Sequence, residues 1–174
     1  TLWINKTNTM MNFMKQDKVD RLYLRMAFTW SENSYAVRRQ VGCLIVKNNS
    51  IISDGYNGTP SGFRNVCEYE PDEDDSWNEV CTVLRLKEDF AAGRKLVTYP
   101  YVLHAESNAI AKLAKSNNSS EGATIYVTDE PCLECSKMII QSGIRRVVYS
   151  RSYRIHDGIE LLKKANIEIK QITV

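Results

Sequence analysis

The alternation of short apolar runs with amphipathic segments in the last third of the chain restricts the fold more than any other feature. Three runs carry the β-branched and aromatic residues of strands, and two segments between them have apolar residues at helical spacing. A strand–helix–strand–helix–strand order requires crossover connections, so we predict a layered α/β fold with helices packed on a sheet. The five segments are ATIYVT (123–128), CLECSKMIIQSG (132–143), RRVVYS (145–150), DGIELLKKAN (157–166) and IEIKQI (167–172).

The first part of the chain adds a helix and a hairpin to this pattern. From Asp17, a candidate N-cap, apolar residues recur at helical spacing, whereas residues 1–16 are polar and aperiodic. The segment 40–58 is typical of two short apolar strands joined by an Asn-Asn turn. We therefore predict an N-terminal arm over residues 1–16 and a single domain over residues 17–174.

Composition and charge limit the classes of function. Hydrophobic residues make up 43% and charged residues 25%, as in ordinary globular domains. A formal net charge of +2 is too small to suggest a nucleic-acid partner, and no apolar stretch approaches the ~18 residues that a membrane span needs. Five cysteines and the lack of a secretory apolar region favour a reducing compartment, so we expect a cytoplasmic location. The acidic run at 68–79 is predicted to be a solvated loop.

Two short motifs carry the chemistry. Cys132 and Cys135 form a P-C-x-x-C motif at the start of a predicted helix, which alone would suit either a metal or a redox pair. His104 and Glu106 form an H-x-E motif that opens an earlier predicted helix. H-x-E followed by P-C-x-x-C is the signature of zinc nucleobase deaminases. Three protein ligands leave the fourth tetrahedral position to water, as in catalytic zinc sites.

The remaining acid and cysteine side chains receive separate interpretations. Glu106 is expected to move protons: it takes one from a water whose pKa zinc lowers toward ~7, and delivers protons to the base. His156 is expected at the surface or at a helix cap, and Cys43 in the core as a small hydrophobic residue. Cys67 and Cys81 leave open a second, structural metal site.

Beyond these motifs, the chain resembles the deoxycytidylate (dCMP) deaminase family from about residue 19 to residue 173. The resemblance rests on RRQVGCLIVK (38–47), GYNGTPSGFRN (55–65), YPYVLHAESNAI (99–110), GATIYVTDEPCLECSKMIIQSGIRRVVY (122–149) and NIEI (166–169). It implies a cytidine-deaminase-like three-layer α/β/α fold with a mixed five-stranded sheet. It also implies hydrolysis of dCMP to dUMP and ammonia, which supplies dUMP for thymidylate synthesis, in a homohexamer activated by dCTP and inhibited by dTTP.

The resemblance also implies roles for particular residues. His104, Cys132 and Cys135 match the family's zinc ligands, and Glu106 matches its proton shuttle. Asn57 matches the asparagine that holds the sugar hydroxyl, a task that suits an amide because it both donates and accepts hydrogen bonds.

The nucleotide phosphates need cationic or backbone donors. Arg38 and Arg39 are the leading candidates for the substrate's 5′-phosphate, because arginine binds phosphate in a bidentate manner. Further candidates are Lys137, Arg151, Tyr153 and Arg154. The resemblance implies that backbone N–H groups of the glycine-rich loop line the regulatory triphosphate site, where Mg²⁺ is a candidate companion ion. Its residues are Gly58, Thr59, Pro60 and Gly62.

Two other classes of function compete with this interpretation. A tRNA or single-strand cytidine or adenosine deaminase shares both motifs, but it should have a basic surface track or exposed stacking aromatic residues. A non-catalytic nucleotide-binding relative would be expected to close the fourth zinc position with another protein ligand, whereas this chain has Glu106.

Overall fold

A mixed five-stranded sheet lies at the centre of the computed structural model, which describes residues 2–71 and 83–174, with the backbone alone for 2–13. Its strands are β1 (Gly42–Lys47), β2 (Ser50–Tyr56), β5 (Thr124–Asp129), β6 (Arg146–Arg151) and β7 (Glu168–Gln171). A separate ladder contains β3 (Glu68–Tyr69) and β4 (Val97–Thr98). The helices are α1 (Leu2–Ser31), α2 (Val83–Ala91), α3 (Ala105–Leu113), α4 (Leu133–Gln141) and α5 (Asp157–Lys164).

The strand order in the large sheet is β2-β1-β5-β6-β7. β1 is antiparallel to both β2 and β5, whereas β5, β6 and β7 are parallel to one another. Helices α4 and α5 form the crossovers between the parallel strands, as the alternating pattern predicted. The hairpin turn uses Asn48 and Asn49, both with positive φ, which suits a tight turn between twisted strands.

Helices cover both faces of the sheet. Residues of α3, α4 and α5, such as Ala109, Ile139 and Leu162, pack with the sheet in one buried cluster. On the opposite face, Leu24 and Ala27 of α1 pack on the sheet in a second cluster. The predicted three-layer α/β/α fold with a mixed five-stranded sheet is therefore confirmed.

Two glycines allow helices to approach the sheet closely. A Cβ atom at Gly55 in β2 would collide with the carbonyl oxygen of Ala105 at the start of α3. A Cβ atom at Gly42 in β1 would collide with the carbonyl oxygen of Ala27 in α1. Because glycine has no side chain, the helix backbones lie directly on the strands at these two points.

The start of the first helix differs from the prediction. The helix begins at Leu2, so Asp17 lies inside it and is not an N-cap. Instead, Asp17 pairs with Arg21 one turn later, at 2.9 Å, and with Lys170, at 3.0 Å. Residues 1–16 contain neither glycine nor proline, so nothing in them stops a helix that packing stabilises further along. The division into arm and domain stays a prediction.

Among the described residues, no helix combines the length and the apolar character that crossing a bilayer requires.

A buried carboxylate ties α1 to the three parallel strands. Asp20 accepts two hydrogen bonds from Arg146 of β6, each 2.8 Å long. It also accepts hydrogen bonds from Tyr126 of β5 (2.9 Å) and Lys170 of β7 (3.0 Å). Burial by itself would raise the pKa of Asp20, but the hydrogen bonds from Arg146, Gln16 and Lys170 lower it well below its ordinary value.

We expect Asp20→Asn to lower the free energy of unfolding by about 3 kcal/mol or more, because it leaves the nearly buried Arg146 without its bidentate partner. Glu168→Gln is the matched control: Glu168 also pairs with Arg146, but from an exposed position, and its loss should cost less than about 1 kcal/mol. Chemical unfolding of the variants measures both. Equal losses would contradict a special role for the buried carboxylate.

The same pair predicts a pH dependence. Because the folded-state pKa of Asp20 is lowered from 3.8, its contribution to stability is present above that value and is lost as the pH falls below it. The difference in unfolding free energy between the wild type and Asp20→Asn should therefore be constant above about pH 5 and should shrink progressively as the pH falls from about 4 to 2. A difference that stays constant down to about pH 2 would show that the lowered pKa is not responsible.

Candidate active site

Three potential metal ligands meet where two helices begin. His104 precedes α3 and Cys132 precedes α4, both with extended backbone, and Cys135 lies in the first turn of α4. The His104 Nδ1 atom lies 3.5 Å from the Cys132 Sγ atom and 3.4 Å from the Cys135 Sγ atom. The three ligand atoms all lie within 4.8 Å of one another.

The size of this cluster fits zinc. Typical Zn–N and Zn–S bonds at tetrahedral angles place nitrogen and sulfur ligands about 3.6 Å apart. The observed N–S distances of 3.5 and 3.4 Å are close to that value. Both thiol ligands also lie at a helix N-terminus, where the helix dipole stabilises thiolates. The donor set of one imidazole and two cysteines therefore suits a zinc ion with one position left for another ligand.

The pKa values of the two cysteine thiols are shifted in opposite directions. Hydrogen bonds from Cys135 and His104 lower the pKa of the Cys132 thiol to about 3. The pKa of Cys135 is raised, because its thiol donates to Cys132 and because it is buried. Because a metal binds thiolates, its binding would release the protons that the two thiols still carry.

Glu106 lies in the first turn of α3, beside the cluster. It is 4% exposed, and burial raises the pKa of its carboxyl group to about 7, against smaller opposing effects that include His104. A carboxyl group with this pKa can both take up and release a proton near neutral pH. Residues two positions apart do not share a helix face. The side chains of His104 and Glu106 nevertheless both belong to the site, because the site lies over the N-terminal end of α3.

Asn57 stands at the end of β2 and braces the loop before β1. Its Oδ1 atom accepts a hydrogen bond from the Val41 N–H (2.8 Å), and its Nδ2 atom donates to the Arg39 carbonyl (2.9 Å). The amide oxygen can accept a second hydrogen bond and the NH₂ group can donate a second one, so Asn57 keeps the capacity to bind a ligand. The role of Asn57 at the sugar hydroxyl stays a prediction.

Two of the basic candidates come together at the carboxyl ends of β5 and β6. Asp129 pairs through one oxygen with Arg39 and through the other with Arg151, the latter at 2.5 Å. Arg151 also donates to the Gln40 carbonyl, at 2.9 Å. The side chains of Arg39 and Arg151 remain 46% and 39% exposed, so both are open to solvent. Asp129, which joins the two arginines, lies three residues before the predicted metal ligand Cys132 in the chain.

The other phosphate candidates do not join this pair through any described contact. The Arg38 side chain donates to Thr98 of β4, at 3.1 Å, and Lys137 pairs with Glu134 on the surface of α4. Tyr153 has an exposed ring, and its backbone N–H donates to Glu130. Arg154 is exposed in the same loop.

The glycine-rich loop is tied to the segment before His104. Gly58 and Leu103 exchange two backbone hydrogen bonds, of 3.1 and 2.9 Å, so the Gly58 N–H is already engaged.

The rest of the loop contains a tight turn. Gly62 has a φ of 91°, and the Phe63 N–H donates to the Pro60 carbonyl across it, as in a type II turn. The Thr59 hydroxyl contacts Asn65 at 3.5 Å. The triphosphate role of this loop stays a prediction.

Sequence reasoning missed two buried acids near the site. Glu68 opens the run that we expected to be solvated, yet it is 1% exposed and accepts hydrogen bonds from the loop before β1. The expectation of a solvated position was wrong for Glu68, because backbone N–H groups that face this strand position stabilise the buried carboxylate. Residues 72–79 of the same run lie outside the described part of the chain. Glu130 is buried and accepts from His156, at 2.7 Å. In the sequence, only the position of Glu130 beside Pro131 and Cys132 could have indicated that it lies near the site.

The remaining histidine and cysteines can be placed in part. His156 is exposed and stands just before α5, as predicted. Cys43 is buried in the core, which confirms its interpretation. Cys67 is also buried, and burial raises the pKa of its thiol to about 11. Cys81 lies outside the described residues, so a second metal site stays a prediction.

The chain belongs to the cytidine and deoxycytidylate deaminase family. Residues 17–151 match the family model described as the cytidine and deoxycytidylate deaminase zinc-binding region, and this range contains His104, Cys132 and Cys135. The predicted family and the predicted enzyme class, a hydrolytic deaminase, are confirmed.

Particular relatives are similar over most of the chain. Deoxycytidylate deaminase of Enterobacteria phage T4 is 34% identical over 166 residues, which cover 84% of this chain and 86% of the phage enzyme. The Saccharomyces cerevisiae enzyme of the same name is 34% identical over 88% of this chain, but this covers 45% of the yeast protein. The crystal structure of dCMP deaminase from cyanophage S-TIM5, in complex with dCMP and dUMP, has a TM-score of 0.72 at 38% identity. The match covers 89% of this chain and 97% of that chain.

We expect Cys135→Ser to lower the zinc content of the purified protein, because a hydroxyl group is a much weaker zinc ligand than a thiolate. Glu106→Gln is the control from the same site and should retain zinc, since Glu106 is not expected to be a ligand. Metal analysis after dialysis against a mild chelator distinguishes the variants. If Glu106→Gln lost zinc as Cys135→Ser does, Glu106 would belong to the ligand set.

Proposed function

We propose that this chain hydrolyses dCMP to dUMP and ammonia at a zinc ion held by His104, Cys132 and Cys135. The observation that carries this proposal is the ligand cluster with a buried carboxyl group beside it, Glu106, at the N-termini of two helices. The similarity to the S-TIM5 enzyme, whose structure contains dCMP and dUMP, supports the choice of nucleotide.

Each protein side chain has a defined task in this reaction. Zinc bound by the cluster supplies Lewis acidity and an activated water. Glu106 takes a proton from the attacking water and gives it to the ring nitrogen beside the reacting carbon. Glu106 then takes the remaining proton from the hydroxyl group added to the carbon and passes it to the amino group, so that the C–N bond breaks, ammonia leaves and the carbonyl of dUMP forms. A carboxyl pKa of about 7 suits a group that must accept and return protons in one cycle.

The nucleotide's remaining groups are assigned to the neighbouring loops. Arg39 and Arg151, with Asp129 between them, carry one net positive charge and bind the 5′-phosphate through their guanidinium groups, since both side chains are partly exposed. Asn57 donates to or accepts from the sugar hydroxyl, and the ring of Tyr153 covers the nucleotide from the loop after β6.

Regulation and assembly follow the family resemblance. We propose a homohexamer that is activated by dCTP and inhibited by dTTP, with the triphosphate and Mg²⁺ bound at Gly58–Gly62. The product dUMP supplies thymidylate synthesis. The Gly58–Leu103 hydrogen bonds support a link between this loop and the metal ligand that follows, His104.

A substrate panel tests the proposed function. We expect the zinc-loaded chain to release ammonia from dCMP with a kcat/KM about 100-fold higher than from deoxycytidine, since two charge-assisted contacts to phosphate are lost with the nucleoside. CMP and dCTP complete the panel, each with and without added dCTP and dTTP, and Glu106→Gln provides the inactive control. Deamination of deoxycytidine but not of dCMP would contradict the proposal. Activity on single-stranded nucleic acid, with salt-sensitive binding, would favour the alternative deaminase class.

A second prediction concerns the phosphate. Arg39→Gln should raise the KM for dCMP by about 10- to 100-fold, as expected when a hydrogen bond from a charged group is lost, with a much smaller change for deoxycytidine. Lys137→Gln is the matched control, because it removes an exposed positive charge that pairs with Glu134 instead. Steady-state kinetics on both substrates measures the difference. An equal loss with dCMP and deoxycytidine would remove Arg39 from the phosphate site.

A further inference from the structure

Glu68 occupies an unusual position for a charged residue. It lies in the two-residue strand β3, outside the large sheet, and is 1% exposed. A buried carboxylate is costly unless hydrogen-bond donors surround it. Its two oxygens accept the backbone N–H groups of consecutive residues, Val37 at 3.0 Å and Arg38 at 3.3 Å. The donors therefore come from the connection between α1 and β1, about 30 residues away in the chain.

That connection carries groups of the proposed substrate site. Residues 34–41 form neither helix nor strand, so their backbone N–H groups need acceptors from elsewhere. Arg39, which follows directly, pairs with Asp129, and its carbonyl accepts the Asn57 amide. Glu68 thus fixes the loop one residue before the side chain that we assign to the phosphate.

The same ladder leads to the metal cluster. Glu68 is the register partner of Thr98 in β4, and the Thr98 hydroxyl accepts a hydrogen bond from the Arg38 side chain. The Tyr99 N–H donates to the Cys67 carbonyl and extends the ladder toward His104. Three contacts, two at Glu68 and one at Thr98, therefore join the loop before β1 to the segment before His104.

We infer that Glu68 is a positioning residue that sets the distance between the phosphate-binding arginine and the metal cluster; this inference rests on the proposed function. Glu68 acts through the loop 34–41 and makes no contact with substrate. The catalytic groups themselves are held in other ways, by the packing of α3 on Gly55 and by the Gly58–Leu103 hydrogen bonds. Loss of Glu68 should therefore weaken substrate binding and leave the chemical step in place.

Glu68→Gln tests this inference with little change of shape. The glutamine NH₂ group cannot accept a hydrogen bond, so one of the two backbone N–H groups loses its partner. We expect the KM for dCMP to rise on the order of tenfold, the change for deoxycytidine to be small, and kcat to stay within about twofold. Hydrogen exchange at Val37 and Arg38 should accelerate in the nucleotide-free protein, and the zinc content should not change.

Glu70→Gln is the matched control. It removes a negative charge two residues away, from a carboxylate that pairs with Arg94, and should leave all these quantities unchanged. Thr98→Val is a milder second variant that removes the third contact, and it keeps the test usable if Glu68→Gln fails to fold. It should raise the KM for dCMP a few fold.

The outcomes separate the two proposals. A wild-type protein that releases no ammonia from dCMP contradicts the proposed function itself. An active wild type together with an unchanged KM in Glu68→Gln, or in Thr98→Val where the first variant does not fold, overturns the positioning role. So does an equal rise in KM for dCMP and deoxycytidine, because a general structural defect would not distinguish substrates by their phosphate.

Discussion

The direct contact of α3 with the central sheet is the constraint on which the site depends. Gly55 lets the backbone of α3 lie on β2, and this fixes where the helix begins and hence where His104 stands. Cys132 and Cys135 are placed independently, by the crossover from β5 into α4. The metal cluster is thus the meeting point of two helix N-termini that approach from different strands. A side chain at Gly55 would displace one half of the cluster relative to the other.

The sequence was most informative where a periodic pattern and a motif coincided. The parallel half of the sheet followed from alternating segments, and the cluster followed from H-x-E and P-C-x-x-C, because both depend on local spacing. Helix α1 was predicted too short, since polar residues without glycine or proline leave its start undefined. Glu68 could not be predicted, because its partners are backbone groups about 30 residues away and hydrogen bonds of that kind leave no pattern in side chains.

Three buried acidic residues connect separate elements of this molecule, a feature that its small formal net charge of +2 does not reveal. Asp20 joins α1 to the parallel strands, Asp129 gathers two arginines, and Glu68 holds the loop before β1. In each case at least two donors on other elements compensate the carboxylate. Two of these acids, Asp129 and Glu68, hold the loop and the side chains of the proposed substrate site.

The contacts of Asp20 also bear on how the chain folds during synthesis. Its partners lie 106, 126 and 150 residues further along, at Tyr126, Arg146 and Lys170. When α1 leaves the ribosome, none of these donors has been made, so the carboxylate stays in water and the helix has no sheet to cover. The full set of hydrogen bonds at Asp20 can therefore form only after Lys170 of the final strand has been synthesised.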